Sequence, residues 1–265
     1  MRDNILFLFC ENRIMYFFDE VCKILQERID QDPNQFFTEH DIHAEIYLIF
    51  SRLTTELGYN QVRTKDGHLA NTVHHEYPTP FRADMKSGGF RIIPEYLSDS
   101  SSFTRPRIDC VILNPEFIRN NPLRVVAGKD FRILKENLNN QKHSVLKTAV
   151  EVVYFPFTPI TSRKYMGKRD IDSVIQDYLK LAALRDYEFN NQVPYSEEAG
   201  MLAISNKISE EEFNTKITRL NVKRNVKITF ITNRLPTAPP RVRGRPFSIM
   251  GNQKSRKRTQ KSSRV

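Results

Sequence analysis

Apolar residues recur with a helical period over residues 12–30, at Ile14, Phe17, Phe18, Val21, Ile24, Leu25 and Ile29. The stretch "DPNQ" at 32–35 breaks that pattern. A second helix is predicted from Thr38, its N-cap, with Asp41 three residues on and Gly58 as its stop. Its apolar face is Ile42, Ile46, Ile49, Phe50, Leu53 and Leu57. Strand-like segments follow at 71–85, up to the prolines, and at 105–115, ended by Asn114-Pro115. A polar insertion of about thirty residues, with a candidate helix at 130–144, separates them from a strand at 147–155. A helix from about Lys168 carries Ile171, Val174, Ile175, Tyr178, Leu181 and Ala182 on one face. Another helix is expected within "SEEEFNTKITRLNV", and a last strand at 224–235. The core order is helix, strand, strand, strand, helix, strand, which predicts an α/β fold with a mixed sheet flanked by helices.

Two strands of this pattern each carry a carboxylate among apolar neighbours. Asp109 interrupts "IDCVIL", with Ile108, Cys110 and Ile112 assigned to one face and Val111 and Leu113 to the other. Glu151 interrupts "AVEVVYF", sharing a face with Ala149 and Val153. Glu45 sits at the edge of the inward stripe of the second helix, between Ile42 and Ile49. A buried carboxylate is costly unless it is paired, protonated or bound to a metal. A hard cation such as Mg²⁺ takes a few carboxylates and completes its shell with water. Asp109 and Glu151 on adjacent strands are therefore read as one shared site, with Glu45 as its third acid.

Charge adds a polyanionic partner to the picture. The formal net charge is +10, but nine Lys or Arg and no acid lie in 236–265. The rest holds 32 basic against 31 acidic residues and is nearly neutral. This proline-bearing tail is expected to be disordered and to contact phosphate backbones. The composition is that of a soluble globular protein, with 39% hydrophobic and 27% charged residues. Three cysteines without CxxC spacing argue against a disulfide framework and for a reducing compartment. No run approaches a membrane span, so a cytoplasmic protein without membrane contact is expected. The expected organisation is an N-terminal helical extension at 1–32, an α/β domain at 33–235 and the basic tail.

The element order, Glu45, "PRID" at 106–109 and Glu151 resemble the PD-(D/E)xK nuclease superfamily, the restriction-endonuclease-like fold with an α-β-β-β-α-β core. The resemblance covers about residues 36–235. It implies a metal-dependent endonuclease hydrolysing DNA, with Asp109 and Glu151 on Mg²⁺ (or Mn²⁺) and Glu45 reaching the ion through water or a second ion. DNA is the implied partner, the tail adds affinity, and a homodimer is allowed for. The departure is Val153, where the superfamily's third-strand lysine would stand. Lys180, on the following helix, is the best migrated replacement, with Gln176 and Lys168 as neighbours. Lys147 has the right strand parity but lies about 13 Å back along the strand. The alternative is a catalytically inactive nuclease fold serving as a nucleic-acid-binding or assembly module. A third reading salt-bridges the acids to Arg82, Arg105 or Arg107.

Several histidines invite a metal reading. Neighbouring strand residues face opposite ways, so His74 and His75 are not expected to share an ion, whereas His74 and Glu76 can share a face. A strand-edge or substrate-contact role is preferred for them. His40 and His43 are read as a helix-start feature and a surface side chain. The isolated Gly88-Gly89 and Gly128 form no phosphate loop, and no acyl-transfer motif is present.

Overall fold

A computed structural model describes residues 16–32, 38–84, 91–93, 105–129, 142–155, 168–186, 193–205, 208–218 and 226–232. The start of the first predicted helix at 12–15, Gly88-Gly89, most of the candidate helix at 130–144 and the tail 236–265 lie outside them.

The first helix, α1, spans Phe17–Gln31, and α2 spans Glu39–Glu56. Thr38 caps α2 through a reciprocal box: its Oγ1 accepts from the Asp41 N–H at 3.2 Å, and the Thr38 N–H donates to the Asp41 carboxylate at 2.8 Å. Gly58 follows the helix with φ +76°, the left-handed geometry that glycine adopts most readily. The sequence reading of this helix therefore holds at both ends.

A small hairpin, β1 (Gln61–Arg63) and β2 (Leu69–Asn71), leads into β3 (Val73–Pro78). A second hairpin pairs β4 (Arg82–Asp84) with β5 (Arg91–Ile93). Then come β6 (Arg107–Leu113), two short helices α3 (Pro115–Asn120) and α4 (Leu123–Val126), and β7 (Leu146–Phe155). Helix α5 (Lys168–Asp186) is followed by β8 (Ser196–Ser205), α6 (Glu210–Thr218) and β9 (Lys227–Thr232).

The main sheet has the order β3-β6-β7-β8-β9. Its first three strands pair antiparallel, while β8 runs parallel to β7 and β9 parallel to β8. The fold is thus mixed α/β, with helices on both faces. One face packs α1 and α2 against Cys110, Ile112, Val150, Val152, Leu202, Ile204 and Ile231. The other packs α5, α3, α4 and Phe213 of α6 against Val111, Leu113, Ala149, Val153 and Met201.

Two features were not expected. The pattern does not single out Ser196–Ser205, because Glu197, Glu198 and Gly200 interrupt it. That segment is nonetheless a central strand, parallel to β7, and the segment expected to be the final core strand lies beyond it. The residues 17–31 also share a core with the sheet. The ring of Phe18, fully buried, covers Gly200 so closely that a Cβ there would lie 2.2 Å from it. The Phe18 N–H donates to Glu198 Oε2 at 3.0 Å, which ties the first turn of α1 to β8.

Candidate functional site

The registered pairs between β6 and β7 run from Leu113–Leu146 to Cys110–Val150. Beyond that point β6 continues only with β3, and β7 only with β8, among the described residues. Continued by one step, the register sets Asp109 opposite Glu151. The two carboxylates therefore stand where the strands part.

Strands that part leave backbone N–H groups that must find other acceptors. The Val152 N–H donates to Asp109 Oδ2 at 2.8 Å. The Tyr154 backbone, two residues on and so on the same edge, pulls the Glu39 carboxyl downward. Carboxylates from β6 and the first turn of α2 thus replace a strand.

The opening has a counterpart on β3. Glu76 would pair with Asp109 in the register of its neighbours, but it has φ +56° and no registered partner. A non-glycine residue in this region carries about 1–2 kcal/mol of strain. The alternation of faces also breaks here. Val73 and Cys110 face α1 and α2, yet Tyr77, four residues from Val73, and Ile108, two from Cys110, join the opposite core. The expected grouping of Ile108 with Cys110 and Ile112 is therefore corrected. Strict period-2 reading fails because Glu76 leaves the extended region.

Glu151 is 1% exposed, and its Oε2 lies 2.8 Å from Lys180 Nζ. Its Oε1 is buried with no hydrogen-bond partner. Lys180 also reaches Asp177 Oδ1 at 3.3 Å, one helical turn back on α5. Burial and then the Asp109 charge push Glu151 well above the usual carboxylate range, which Lys180 only partly offsets. Asp177 rises to about 6, through burial foremost and through Asp109, against the pull of Lys180. Burial would lower Lys180, but Glu151 and Asp177 hold it above its ordinary value and keep it an ammonium.

On the opposite side stands His43, which is 4% exposed rather than a surface side chain. Its Nε2 lies 3.4 Å from Asp109 Oδ2, and its Nδ1 is 3.1 Å from His75 Nε2. Burial lowers His43, but the Asp109 carboxylate, with Glu39 and Glu76, outweighs it and the net shift is upward. Asp109 moves the other way. Burial would raise it, but His43, Lys180 and the Val152 N–H hold it below its ordinary value. Glu39 is raised by burial and by Asp109.

Glu45 is not brought to this group. It is buried, as its place on the stripe implies, but its Oε1 is 2.5 Å from Arg28 Nη1 of α1. The same oxygen lacks an aligned hydrogen bond, so this is a close ionic contact. Residues two apart on a helix point about 200° apart. Since His43 faces Asp109, Glu45 faces away, and Glu39, one turn before His43, supplies the helix acid. Glu45 meets Arg28, which is none of the three arginines expected as partners of the acids. Asp109 and Glu151 are instead engaged by His43, a backbone amide and Lys180. Lys147 is bound to Glu197 at 2.9 Å, away from the site. His74 Nε2 contacts the Asn71 carbonyl at 2.8 Å. Glu39, His43 and Asp177 were not singled out as site residues, because only the packing of α2 and α5 on the sheet reveals them.

Four carboxyl groups here share one field with one lysine and one buried histidine. Their mutual repulsion favours a bound cation. Among the described residues, no three His, Cys, Asp or Glu side chains are grouped as metal ligands. A hard dication can, however, take one or two carboxylates and fill its shell with water and substrate oxygens. Asp109 and Glu151 fit that role, because the unpartnered Glu151 Oε1 is a free oxygen donor beside Asp109. No helix among the described residues is long and apolar enough to cross a membrane. No protein-family model, curated protein or solved structure matches the chain.

Proposed function

We propose that the protein is a divalent-metal-dependent nuclease of the restriction-endonuclease-like fold that hydrolyses DNA phosphodiester bonds. The observation that carries this reading is the meeting of Asp109, Glu151 and the Lys180 ammonium where β6 and β7 part. The succession α2, β3, β6, β7, α5, β8, with an antiparallel meander and then a parallel strand, supports the fold. So does the match of its motif acids to Asp109 and Glu151.

Asp109 and Glu151 would hold Mg²⁺ (or Mn²⁺). Such an ion supplies Lewis acidity at the phosphate and lowers the pKa of a bound water. Lys180 is the ammonium that Val153 cannot provide. It reaches Glu151 from α5, and Asp177 keeps it there. Its charge stabilises negative charge on the scissile phosphate. Glu39 replaces Glu45 as the helix acid. The basic tail 236–265 adds sequence-independent affinity for the nucleic acid.

The test is cleavage of single- and double-stranded DNA with Mg²⁺ or Mn²⁺ by the full chain and by Asp109→Ala. The expected result is metal-dependent cleavage that this substitution abolishes in a folded protein. Unchanged cleavage by the variant would sink the assignment. Val153 favours a second reading, a module that binds nucleic acid without cutting it. That reading predicts no turnover with either ion and binding lost on deleting 236–265.

A further inference from the structure

We infer that His43, held in turn by His75, is a positioning residue that fixes the Asp109 carboxylate for a divalent cation. This rests on the nuclease reading above and adds two residues to it. Aspartate turns freely about two side-chain bonds, so a ligating carboxylate needs outside contacts to fix its plane.

Two contacts do this for Asp109. The Val152 N–H meets Oδ2 at 2.8 Å, and His43 Nε2 faces the same oxygen at 3.4 Å. Oδ1 is the oxygen that neither contact uses, which leaves it for the cation. His43 is itself fixed. It is 4% exposed on α2, and its Nε2 makes no aligned hydrogen bond, so its approach to Asp109 is a close ionic contact. Its Nδ1 lies 3.1 Å from Nε2 of His75, an exposed residue of β3 paired with Cys110. One assignment satisfies the chain in a single direction. His75 donates from Nε2 to His43 Nδ1, and His43 carries its proton on Nε2 toward Asp109. The other His43 tautomer would set two lone pairs, on Nε2 and Oδ2, against each other. Orienting partners of this kind change metal affinity by about 10–100-fold when removed.

The experiment is Mn²⁺ binding to the full chain by electron paramagnetic resonance, with no nucleic acid present. Wild type is compared with His43→Ala, His43→Gln, His75→Ala and Asp109→Asn, and circular dichroism and melting check that each folds. His43→Ala should weaken Mn²⁺ by about 10–100-fold. His43→Gln, which keeps a donor near the Nε2 position, should recover most of that loss. His75→Ala should show a smaller loss in the same direction. If His43→Ala does not fold, the loss expected in His75→Ala carries the test. Unchanged affinity in folded His43→Ala and His75→Ala, with binding lost in Asp109→Asn, overturns the role of His43 and leaves the metal site standing. Absence of Mn²⁺ binding by wild type overturns the metal reading and this inference with it.

Discussion

Lys180 Nζ lies 2.8 Å from Glu151 Oε2, although the two residues are 29 positions apart and on different elements. Lys180 is three turns into α5 and 8% exposed, so its ammonium is spent inside the protein. A buried lysine facing two carboxyl groups is a local solution to their charge. It also places a cation where the third strand offers only Val153.

Lys180→Met should therefore leave a folded protein with DNA cleavage reduced by about 10²–10³-fold, the usual cost of removing one preorganised charge-stabilising group. Val153 shares the Glu151 face of β7 and is 7% exposed. Adding Val153→Lys to Lys180→Met should recover part of the loss. Initial-rate cleavage assays on the two variants check this. A double variant as inactive as the single one would show that the ammonium does not act through Glu151.

Glu39 and Glu45 should separate cleanly. Glu45→Gln removes the charge that Arg28 meets at 2.5 Å, and should cost stability while leaving metal-dependent turnover unchanged. Removing one partner of a buried ion pair costs up to about 3–5 kcal/mol, less here because Arg28 is about one-third exposed. Glu39→Gln should do the reverse, lowering turnover with little change in the urea midpoint. Chemical denaturation and cleavage rates, measured on both variants, decide the matter.

Asp177 gives a pH signature. Its carboxyl rises from 3.8 to about 6 in the folded chain. Between those values the folded state keeps a proton that the unfolded state releases, so this group's contribution to stability falls as pH rises. Asp177→Asn removes that cost. The variant should gain on wild type as pH rises from 4 to 7, on the order of 2 kcal/mol. Urea denaturation at pH 4, 5.5 and 7 measures the difference. A difference that does not vary with pH would place the Asp177 titration elsewhere.

Gly200 tests the place of α1. Any side chain there must displace the Phe18 ring, which a Cβ would meet at 2.2 Å. Gly200→Ala should cost about 1–3 kcal/mol, as overpacking does. Phe18→Ala in the same chain should relieve the clash, so the double variant should lose less than the sum of the two single losses. A full double-mutant cycle by thermal melting gives the answer.

The reach of the sequence can be judged residue by residue. Thr38, Asp41 and Gly58 mark α2 because capping and left-handed geometry are local, decided within a few residues of chain. Asp109 and Glu151 could be named because a carboxylate in a continuous apolar strand is anomalous wherever that strand packs. Glu198 and Gly200 hid β8, since their reasons lie in α1: one accepts the Phe18 N–H, the other makes room for its ring. Glu45 was misplaced because a helical stripe says which side is buried but not which neighbour covers it. It met Arg28, and Glu39 met the site. Asp177 carries no local mark, and the surface reading of His43 fails because its burial depends on what packs over α2. The alternation of strand faces failed at Glu76 and Asp109, where a left-handed residue turns the pair and the sheet opens. Local propensity and patterning thus determined most of the core elements, β8 excepted, and two of the acids. Which side chains meet across β6, β7, α2 and α5 was decided only by the packing of segments distant in the chain, because electrostatic partners are chosen by distance in space.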